Sequence, residues 1–506
     1  MPATYKQGAK NNVRHTVIKR AVELLTTERQ SACCVRRSYV RDLYDYFLHQ
    51  EESHEQIEVR KIDLGYLREW ESMHTDYTGV KRSSELSVCY LAGPEPENDF
   101  NEFISLGVLP QNIWAFECER STYLQALHSI DSTDYLQPKL IKTSIERFFE
   151  NTPKRFDIVY IDACAPIVSD QHALRCVSSM FKCHRLNSPG ILISNFAGID
   201  SSNKQELDEF NDIIARYFYV KSNPKAVLID DMGEIRYKEG FALKREIVEK
   251  NFEQYYGNFI TAMVCNAGSI TTPTLRFANS NFLQQLSVTK PIPNHQYSYI
   301  DVNTIENNTL YKYLASNQFL SQKKADYRGI ARLTKLAKEL SASDSCYDLL
   351  ASSRKLYDVR ICNDNLCPEL ADALNFFDND SKMYQFLDKP NRILFFDSVI
   401  NQLAYPMHYS SDKIMRLSYV AKQTRMFTDL ILFDECRYIY DWLPAIHQIS
   451  NAFSNASWQY TFRFALDGLV KQRINNNNEF FFRGSVISKT IDGFEAKRIP
   501  ERNFLN

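Results

Sequence analysis

Glycine is scarce in this sequence: 15 of its 506 residues are glycine, whereas an average protein contains about 7%. Tight turns often require glycine, so we do not expect a turn-rich fold made only of strands. Long apolar runs are also lacking, and none reaches the roughly 18 residues that span a membrane. The polar, basic amino terminus lacks the pattern of a signal peptide. We therefore expect a globular protein that has no membrane-spanning segment.

An excess of charge is absent as well, because the formal net charge is −2. Nucleic-acid binding through bulk charge is thereby excluded, and any such binding requires a local basic patch. The 12 cysteines show no regular spacing, and several fall in predicted core strands, which favours a reducing, cytoplasmic location. The length and the 44% apolar content are typical of two or three globular domains.

Five short apolar runs follow one another at helix-length intervals. They cover residues 87–94, 112–119, 139–144, 156–162 and 190–194. Short continuous runs of this kind predict parallel strands that are buried on both faces, and their alternation with helices predicts a doubly wound α/β sheet. Ligands bind such sheets at the carboxyl ends of the strands.

The order of these strand ends resembles that of the class I S-adenosylmethionine-dependent methyltransferases, over about residues 85–270. In that family a glycine-rich turn follows the first strand, and here the turn contains Gly93. An acid after the second strand binds the ribose, which Glu117 matches, with Glu119 as a near alternative. The resemblance implies that S-adenosylmethionine is the cofactor and that its binding residues are Ala92, Gly93, Pro94, Glu117, Cys118, Thr143, Ser144 and Asp162.

This turn departs from the family pattern, because it has one glycine and two prolines, and Tyr90 stands where an acid is usual. The alternatives without a role in cofactor binding are an ordinary strand–helix turn at Gly93 and a solvated acid at the end of a strand at Glu117. Proline fixes its own backbone and removes an amide donor. The turn is therefore either preorganised for a cofactor or closed to it.

Asp162 and Cys164 are the candidate catalytic residues. A carboxylate at the tip of the fourth strand could orient or deprotonate an acceptor oxygen or nitrogen. The alternative for Asp162 is a structural cap on the next helix. Methyltransferases that act on carbon-5 of pyrimidines place a thiol in this region, but the order Asp-Ala-Cys-Ala-Pro differs from theirs, and a buried, inert cysteine is the alternative for Cys164.

The remaining sequence predicts a domain order around the sheet. Residues 1–84 form a helical segment, 85–270 the methyltransferase-like domain, 271–306 a linker rich in Ser, Thr, Asn and Pro, and 307–506 a mostly helical domain. The clearest helix of this last domain is expected over residues 321–340. Within the sheet domain, residues 218–220 and 258–264 are expected to form the last two strands, since the resemblance implies a sheet that ends in an antiparallel pair. The nine Lys and Arg of residues 1–41 form either a phosphate-contacting arm or the charged face of a helical cap over the sheet.

A basic, aromatic-rich pattern in the carboxyl-terminal part could bind a nucleic acid. Its basic residues are Lys324, Arg328, Arg332, Lys413, Arg416, Lys422 and Arg425. Tyr409, Tyr419 and Tyr438 could stack on bases, or they could be core residues of a helical domain.

Several cysteines and histidines of the same part were considered as metal ligands: Cys362, Cys367, His408, Cys436 and His447. Their spacing is too loose for a zinc site, so we predict no metal.

Taken together, the sequence predicts an S-adenosylmethionine-dependent methyltransferase that acts on a nucleic acid or a nucleotide. One alternative is an inactive, methyltransferase-like scaffold or nucleotide sensor that binds a protein partner through its carboxyl-terminal domain. A second alternative is a transferase or hydrolase that processes nucleosides or nucleotides on a similar sheet.

Overall fold

A mixed β-sheet lies at the centre of the structure. The computed structural model describes residues 8–278, 330–345, 401–445, 455–461 and 499–505, except for positions 52, 132–138, 223–226, 230–234 and 238–239; it also describes residue 448 and isolated residues between 310 and 375. The strand order is β3-β2-β1-β4-β5-β10-β9-β11, with β8 paired to β10, and a separate hairpin contains β6 and β7. The strands are β1 Val88–Leu91, β2 Ile113–Phe116, β3 Lys139–Ile141, β4 Phe156–Asp162, β5 Leu186–Ala197, β6 Val227–Ile229, β7 Ile235–Tyr237, β8 His408–Tyr409, β9 Met415–Ala421, β10 Thr424–Asp434 and β11 Asn503–Phe504.

Helices follow the first strands along the chain and cover both faces of the sheet. Their bounds are α1 Gly8–Leu25, α2 Tyr39–Leu48, α3 His54–Val59, α4 Leu64–Thr78, α5 Glu97–Ser105, α6 Arg120–Asp131, α7 Ile145–Asn151, α8 Ala173–Lys182, α9 Lys204–Ser222, α10 Phe241–Lys250, α11 Phe252–Asn266, α12 Thr272–Ala278, α13 Ile330–Ser341 and α14 Arg437–Tyr440. None of these described helices is long and apolar enough to cross a membrane.

The predicted α/β class and the five predicted strands are confirmed. Strands β1 to β5 lie within the five apolar runs or overlap them, and neighbouring members of this group pair in parallel. Strand β4 is buried along almost its whole length, as expected for a strand that has a helical layer on each face. The first part of the sheet is therefore the Rossmann-like arrangement that the sequence predicts.

The prediction for the last two strands is wrong. Residues 218–220 lie in α9 and residues 258–264 lie in α11, where packing on several sides buries an apolar run without strand pairing. The sheet is instead extended by β10, which runs antiparallel to β5, and by β9, which runs antiparallel to β10. The carboxyl-terminal part is consequently not only helical, because residues 415–434 belong to the central sheet.

The expected linker needs correction, and the second part of the helix expected over residues 321–340 is observed. Residues 272–278, at the start of the expected linker, form the helix α12, which is largely buried. Residues 279–306 lie outside the described residues, as do residues 321–329, which were expected to begin the helix now seen as α13. The domain boundaries drawn from the sequence stay predictions.

Each face of the sheet has its own apolar core. On one face, Val17 and Ile18 of α1 and Phe103 of α5 pack in a cluster with Tyr90 and Ile193 of the sheet. The opposite face carries α7, α8, α9, α11 and α13, whose buried residues form a second cluster. A third cluster joins α2 and α4 to α14 near the end of β10.

Helix α1 is a cap over the sheet, which is one of the two interpretations of the basic amino-terminal segment. Three of its basic residues are ion-paired within the chain, to Asp162, Asp99 and Glu28. Lys10 and Arg14, the first two, are almost fully buried. These three basic residues therefore hold the cap in place, and a phosphate-contacting role for them is not supported.

The assignment of β10 to the core can be tested with one substitution and a matched control. Ile431 in β10 is fully buried, whereas Val420 at the end of β9 is 42% exposed. Ile431→Ala should lower the free energy of unfolding by about 2–5 kcal/mol, because it leaves a cavity. Val420→Ala should change it by less than about 0.5 kcal/mol. Equal effects in chemical denaturation would contradict the burial of β10.

Candidate functional site

Four of the residues expected to form a site lie together at the carboxyl ends of parallel strands. Asp162 ends β4 and Glu117 directly follows β2, whereas Gly93 and Thr143 come two residues after the ends of β1 and β3. The strands are in register, since Leu91 pairs with Phe116 and Phe116 pairs with Ile141. We call this edge of the sheet, with the four residues named above, the carboxyl edge.

Gly93 occupies a backbone conformation that favours glycine, with φ of +60°. No heavy atom lies within 4 Å of the position that a Cβ atom would take, so the space in front of this turn is open. The hydroxyl of Tyr90 donates a hydrogen bond of 2.7 Å to the carbonyl of Pro96, which ties strand β1 to the start of α5. Tyr90 therefore braces the turn from the buried side, and its hydroxyl is not turned into the open space.

Glu117 and Glu119 both follow β2, but they differ in their hydrogen bonds. The carboxylate of Glu119 accepts hydrogen bonds from the Ser121 side chain and from the amide of Thr122 at the start of α6. These bonds lower the pKa of Glu119 to about 2. Glu117 is half-buried, and its Oε1 accepts a bond of 2.8 Å from the amide of Glu119. Glu119 is a helix cap, so Glu117 is the better candidate for binding a ligand.

The other expected cofactor residues differ in how available they are. Ser144 accepts a hydrogen bond from the amide of Arg147 and thereby caps α7, whereas Thr143 beside it is half-buried. Ala92 is buried, and its amide donates to the carbonyl of Phe116. Cys118 is exposed. Thr143 is therefore more available to a ligand than Ser144.

Asp162 forms a buried ion pair with Lys10, a residue that the sequence did not single out. The Nζ atom of Lys10 lies 2.9 Å from Oδ2 of Asp162, and the two side chains are 12% and 10% exposed. Burial disfavours the charged form of both side chains, but their mutual attraction outweighs this effect. The pKa of Lys10 is therefore raised, and the pKa of Asp162 is lowered. Asp162 is consequently an ionised carboxylate, and it does not cap the helix that follows it.

A chain of hydrogen bonds connects this ion pair to the antiparallel strands. Asn195 of β5 donates to Oδ1 of Asp162 at 2.7 Å and to the hydroxyl of Tyr419 at 3.0 Å. The oxygen of the same amide accepts a bond of 2.8 Å from Thr428. Because both amide hydrogens of Asn195 are used, its orientation is fixed. Strands β9 and β10 thus hold the tip of β4 in place.

A second buried ion pair lies beside the first. The Nε atom of Arg14 donates a bond of 2.7 Å to Asp99 of α5, and both side chains are almost fully buried. Burial raises the pKa of Asp99 in spite of Arg14. The two pairs place two cations of α1 against two carboxylates at the tips of β4 and α5.

Cys164 lies next to Asp162, but its chemistry does not suit a nucleophile. Its thiol donates a long hydrogen bond of 3.5 Å to Oδ1 of Asp162. Loss of solvation and the charge of Asp162 raise the pKa of Cys164 to about 12. The expectation that the residue is buried is wrong, since it is exposed. The thiolate, which is the reactive form, is nonetheless disfavoured.

The basic patch expected for nucleic acid is largely used inside the protein. Arg332 is ion-paired with Glu206 and Glu209. Arg416, a further member, is 5% exposed. Arg425 is ion-paired with Glu253.

The rest of that pattern is also unsuited to base stacking. Lys413 is half-buried, and Lys422 is exposed. Lys324 and Arg328 lie outside the described residues. Tyr409, Tyr419 and Tyr438 are at most 2% exposed, so of the two alternatives the second is correct: they are core residues and do not stack on bases.

The cysteines and histidines considered as metal ligands do not converge within the described part of the chain. Cys362, Cys367 and His447 lie outside it. Nε2 of His408 is 2.6 Å from the hydroxyl of Tyr440, and burial lowers the pKa of His408 to about 4. Cys436 instead lies beside Cys34 and Asp434, which the spacing of the cysteines did not indicate.

Comparison of the chain with protein-family models and with curated proteins finds no match. The assignment of a function consequently depends on the geometry of the carboxyl edge.

The buried ion pair predicts a strong effect of neutralising one partner. Asp162→Asn should lower the free energy of unfolding by about 3–5 kcal/mol, because Lys10 is left as an uncompensated buried charge. The double variant Lys10→Met/Asp162→Asn should recover much of this loss. Asp42→Asn, which removes the partner of the more exposed Arg36, is the control and should cost at most about 1 kcal/mol.

The effect of Asp162→Asn should also depend on pH. The folded protein holds the pKa of Asp162 below its ordinary value, so the stabilisation is present above the usual carboxyl range and is lost as the pH falls through the lowered pKa. Denaturation at several pH values should show the gap between the wild type and Asp162→Asn shrinking below about pH 4. A gap that is constant or widens in acid would contradict the ion pair.

Proposed function

We propose that the chain binds S-adenosylmethionine, or its demethylated product, at the carboxyl edge and transfers the methyl group to an acceptor positioned by Asp162. The observation that carries the proposal is the sheet itself. Its strand order of β3-β2-β1-β4-β5, followed by the antiparallel β10 and then β9, has the antiparallel pair that the methyltransferase resemblance implies. The pair is formed by residues 415–434 rather than by the residues expected.

The residues at the carboxyl edge suit such a cofactor in three respects. The open space before Gly93 would admit the carboxypropyl end of the molecule. Glu117 has a carboxylate that can accept hydrogen bonds from two adjacent hydroxyls, as a ribose offers. Thr143 follows β3, where the adenine would lie. S-adenosylmethionine, once bound, supplies an activated methyl group, so that positioning of the acceptor is the main task left to the protein.

The acceptor would approach the Lys10–Asp162 pair. Asp162 is ionised and can accept a hydrogen bond from an acceptor hydroxyl or amine, and Asn195 fixes the direction in which its carboxylate points. Lys10 stabilises the negative charge of Asp162 and offers an ammonium next to it. The proposal does not extend to a nucleic acid as the acceptor, because most of the described residues of the basic patch are paired internally or buried.

Binding without transfer is the second candidate function. It is favoured by the side chain of Asp162, which is only 10% exposed and already ion-paired with Lys10. A scaffold or sensor would need the cofactor pocket and not an accessible acceptor site. The two functions share the binding step and differ in whether methyl transfer follows.

Calorimetric titration of the full chain with S-adenosylmethionine and with S-adenosylhomocysteine tests the binding step. Glu117→Ala should weaken binding by about 1.5–3 kcal/mol, the usual range for hydrogen bonds to a charged group. Glu150→Ala makes the same charge change at an exposed position near the end of α7 and should leave the affinity unchanged. No heat at millimolar ligand, or equal losses in both variants, would end the methyltransferase proposal.

Two glycine variants distinguish a general loss of stability from a specific loss of cofactor binding. Gly93 and Gly79 have φ of +60° and +62°, and neither has a heavy atom within 4 Å of its Cβ position. Gly93→Ala and Gly79→Ala should each lower the free energy of unfolding by about 1–3 kcal/mol, because both place a side chain at a positive φ, and Gly79 has a ψ of −174° that few residues except glycine adopt. Only Gly93→Ala should also weaken binding of the cofactor. If Gly79→Ala weakens binding to the same extent, the effect is one of stability, and the open space before Gly93 is not the pocket.

A further inference from the structure

A cluster of two thiols and a carboxylate lies away from the carboxyl edge, at the end of β10. Its members are Cys34, Asp434 and Cys436. One ligating atom of each, either Sγ or a carboxylate oxygen, lies within 4.8 Å of those of the other two. The cluster joins the segment between α1 and α2 to the end of β10, although these are about 400 positions apart in the sequence. We call it the Cys34 cluster.

The main chain around the cluster directs the two thiols toward each other. Cys436 has φ of +49°, which is uncommon for a residue other than glycine. Its amide donates a bond of 2.9 Å to Oδ1 of Asp434, and its carbonyl accepts the amide of Ile439 at the start of α14. The amide of Cys34 donates to the other oxygen, Oδ2, also at 2.9 Å. Asp434 therefore holds both cysteine backbones at once.

Two side chains also donate hydrogen bonds to the carboxylate of Asp434 and hold it in place. Ser188 donates a bond of 3.0 Å to Oδ1, and the hydroxyl of Tyr438 donates one of 2.7 Å to Oδ2. Ligands of metal ions are commonly oriented by such a surrounding layer of hydrogen bonds. With four donors on two oxygens, binding of a metal has to displace one donor. The bond from Ser188 is the longest of the four, and Ser188 lines the same cleft as Asp434, so we expect it to be the donor that is displaced.

The donor set determines which metal would fit. Two sulfur atoms and one carboxylate oxygen suit zinc, whereas magnesium and calcium prefer oxygen ligands alone. Zinc–sulfur bonds of about 2.3 Å place the two sulfurs of a tetrahedral site about 3.8 Å apart, and the ligating atoms of the cluster all lie within 4.8 Å of one another. We propose that Cys34, Asp434 and Cys436 bind a zinc ion.

A fourth ligand can reach this site from the side of Asp434, whereas Cys34 and Cys436 do not line the cleft there. Asp434 lines a cleft of about 270 Å³, together with Cys33, Tyr438 and Arg29. A water molecule from the cleft can complete the coordination, as at sites that have three protein ligands. Binding converts both thiols to thiolates and releases their two protons to the solvent. The bound zinc would fasten the segment that follows α1 to the last residue of β10.

The test uses the full chain after treatment with a phosphine reductant and a chelator. Zinc is titrated against a chromophoric chelator, and cobalt(II) replaces it for absorption spectroscopy. The expected result is one metal ion per chain, with the charge-transfer absorption of tetrahedral cobalt bound to thiolates. Cys34→Ser and Cys436→Ser should each abolish uptake. Cys33→Ser, which changes the neighbouring thiol that is bonded to Thr78, should keep it.

A second measurement requires no variant and so does not depend on how the variants fold. Alkylation of the wild-type chain followed by mass spectrometry should show that zinc protects Cys34, which is half-buried and accessible without metal. Cys118 and Cys164, both exposed, are internal controls and should react equally with and without zinc. Lack of metal uptake by the reduced chain, equal loss of uptake in all three serine variants, or equal labelling of Cys34 with and without zinc would overturn the site.

Discussion

Strand β10 runs antiparallel to β5 along eight residue pairs, from Met426 with Ala197 to Phe433 with Gly190, and the rest of the structure depends on this pairing. It joins residues 415–434 to a sheet whose other principal strands lie between positions 88 and 197. It places Thr428 beside Asn195, and strand β9, which pairs with β10, places Tyr419 there too. The same strand carries Asp434 at its end, where the Cys34 cluster forms. The hydrogen bonds around Asn195 and the Cys34 cluster therefore both require the carboxyl-terminal strands to be in place.

The burial of charge explains why the amino-terminal helix is held so firmly. Taking a lysine and an arginine out of water is costly unless each meets an acid with good geometry. Lys10 and Arg14 meet Asp162 and Asp99 at 2.9 Å and 2.7 Å, while apolar residues of α1 fill one face of the sheet. The cost of desolvation is thereby offset only when α1, β4 and α5 are correctly arranged. The ion pairs thus make the position of α1 specific, and the apolar contacts supply most of the stabilisation.

The sequence predicts part of this arrangement because part of it is local. The ends of β1 to β4, with Gly93, Glu117 and Asp162, follow from short apolar runs whose length and flanking residues are visible in the chain. The assignment of the last strands fails because the run at 258–264 is as apolar as the end of β10, and pairing with β5 is decided by tertiary contacts. A helical stripe and a strand cannot be separated for such short runs without those contacts.

The partners of the site residues could not be predicted for a related reason. Lys10 and Asp162, or Cys34 and Cys436, are far apart in the sequence, and no spacing connects them. The basic residues near the amino terminus carried a weak signal, since an excess of cations over acids there requires partners elsewhere. That signal is equally compatible with an external phosphate, and only the fold shows that the partners of Lys10 and Arg14 are internal carboxylates.

The central claim is that the carboxyl edge is a cofactor pocket. A crystal structure of the full chain grown with S-adenosylhomocysteine tests this most directly. The account predicts that the ligand lies across the ends of β1, β2 and β3, with its carboxypropyl end at Gly93, its ribose hydroxyls on Glu117 and its adenine by Thr143. A ligand bound at another place, or an edge that is empty at saturating ligand with Asp162 still closed against Lys10, would contradict the account.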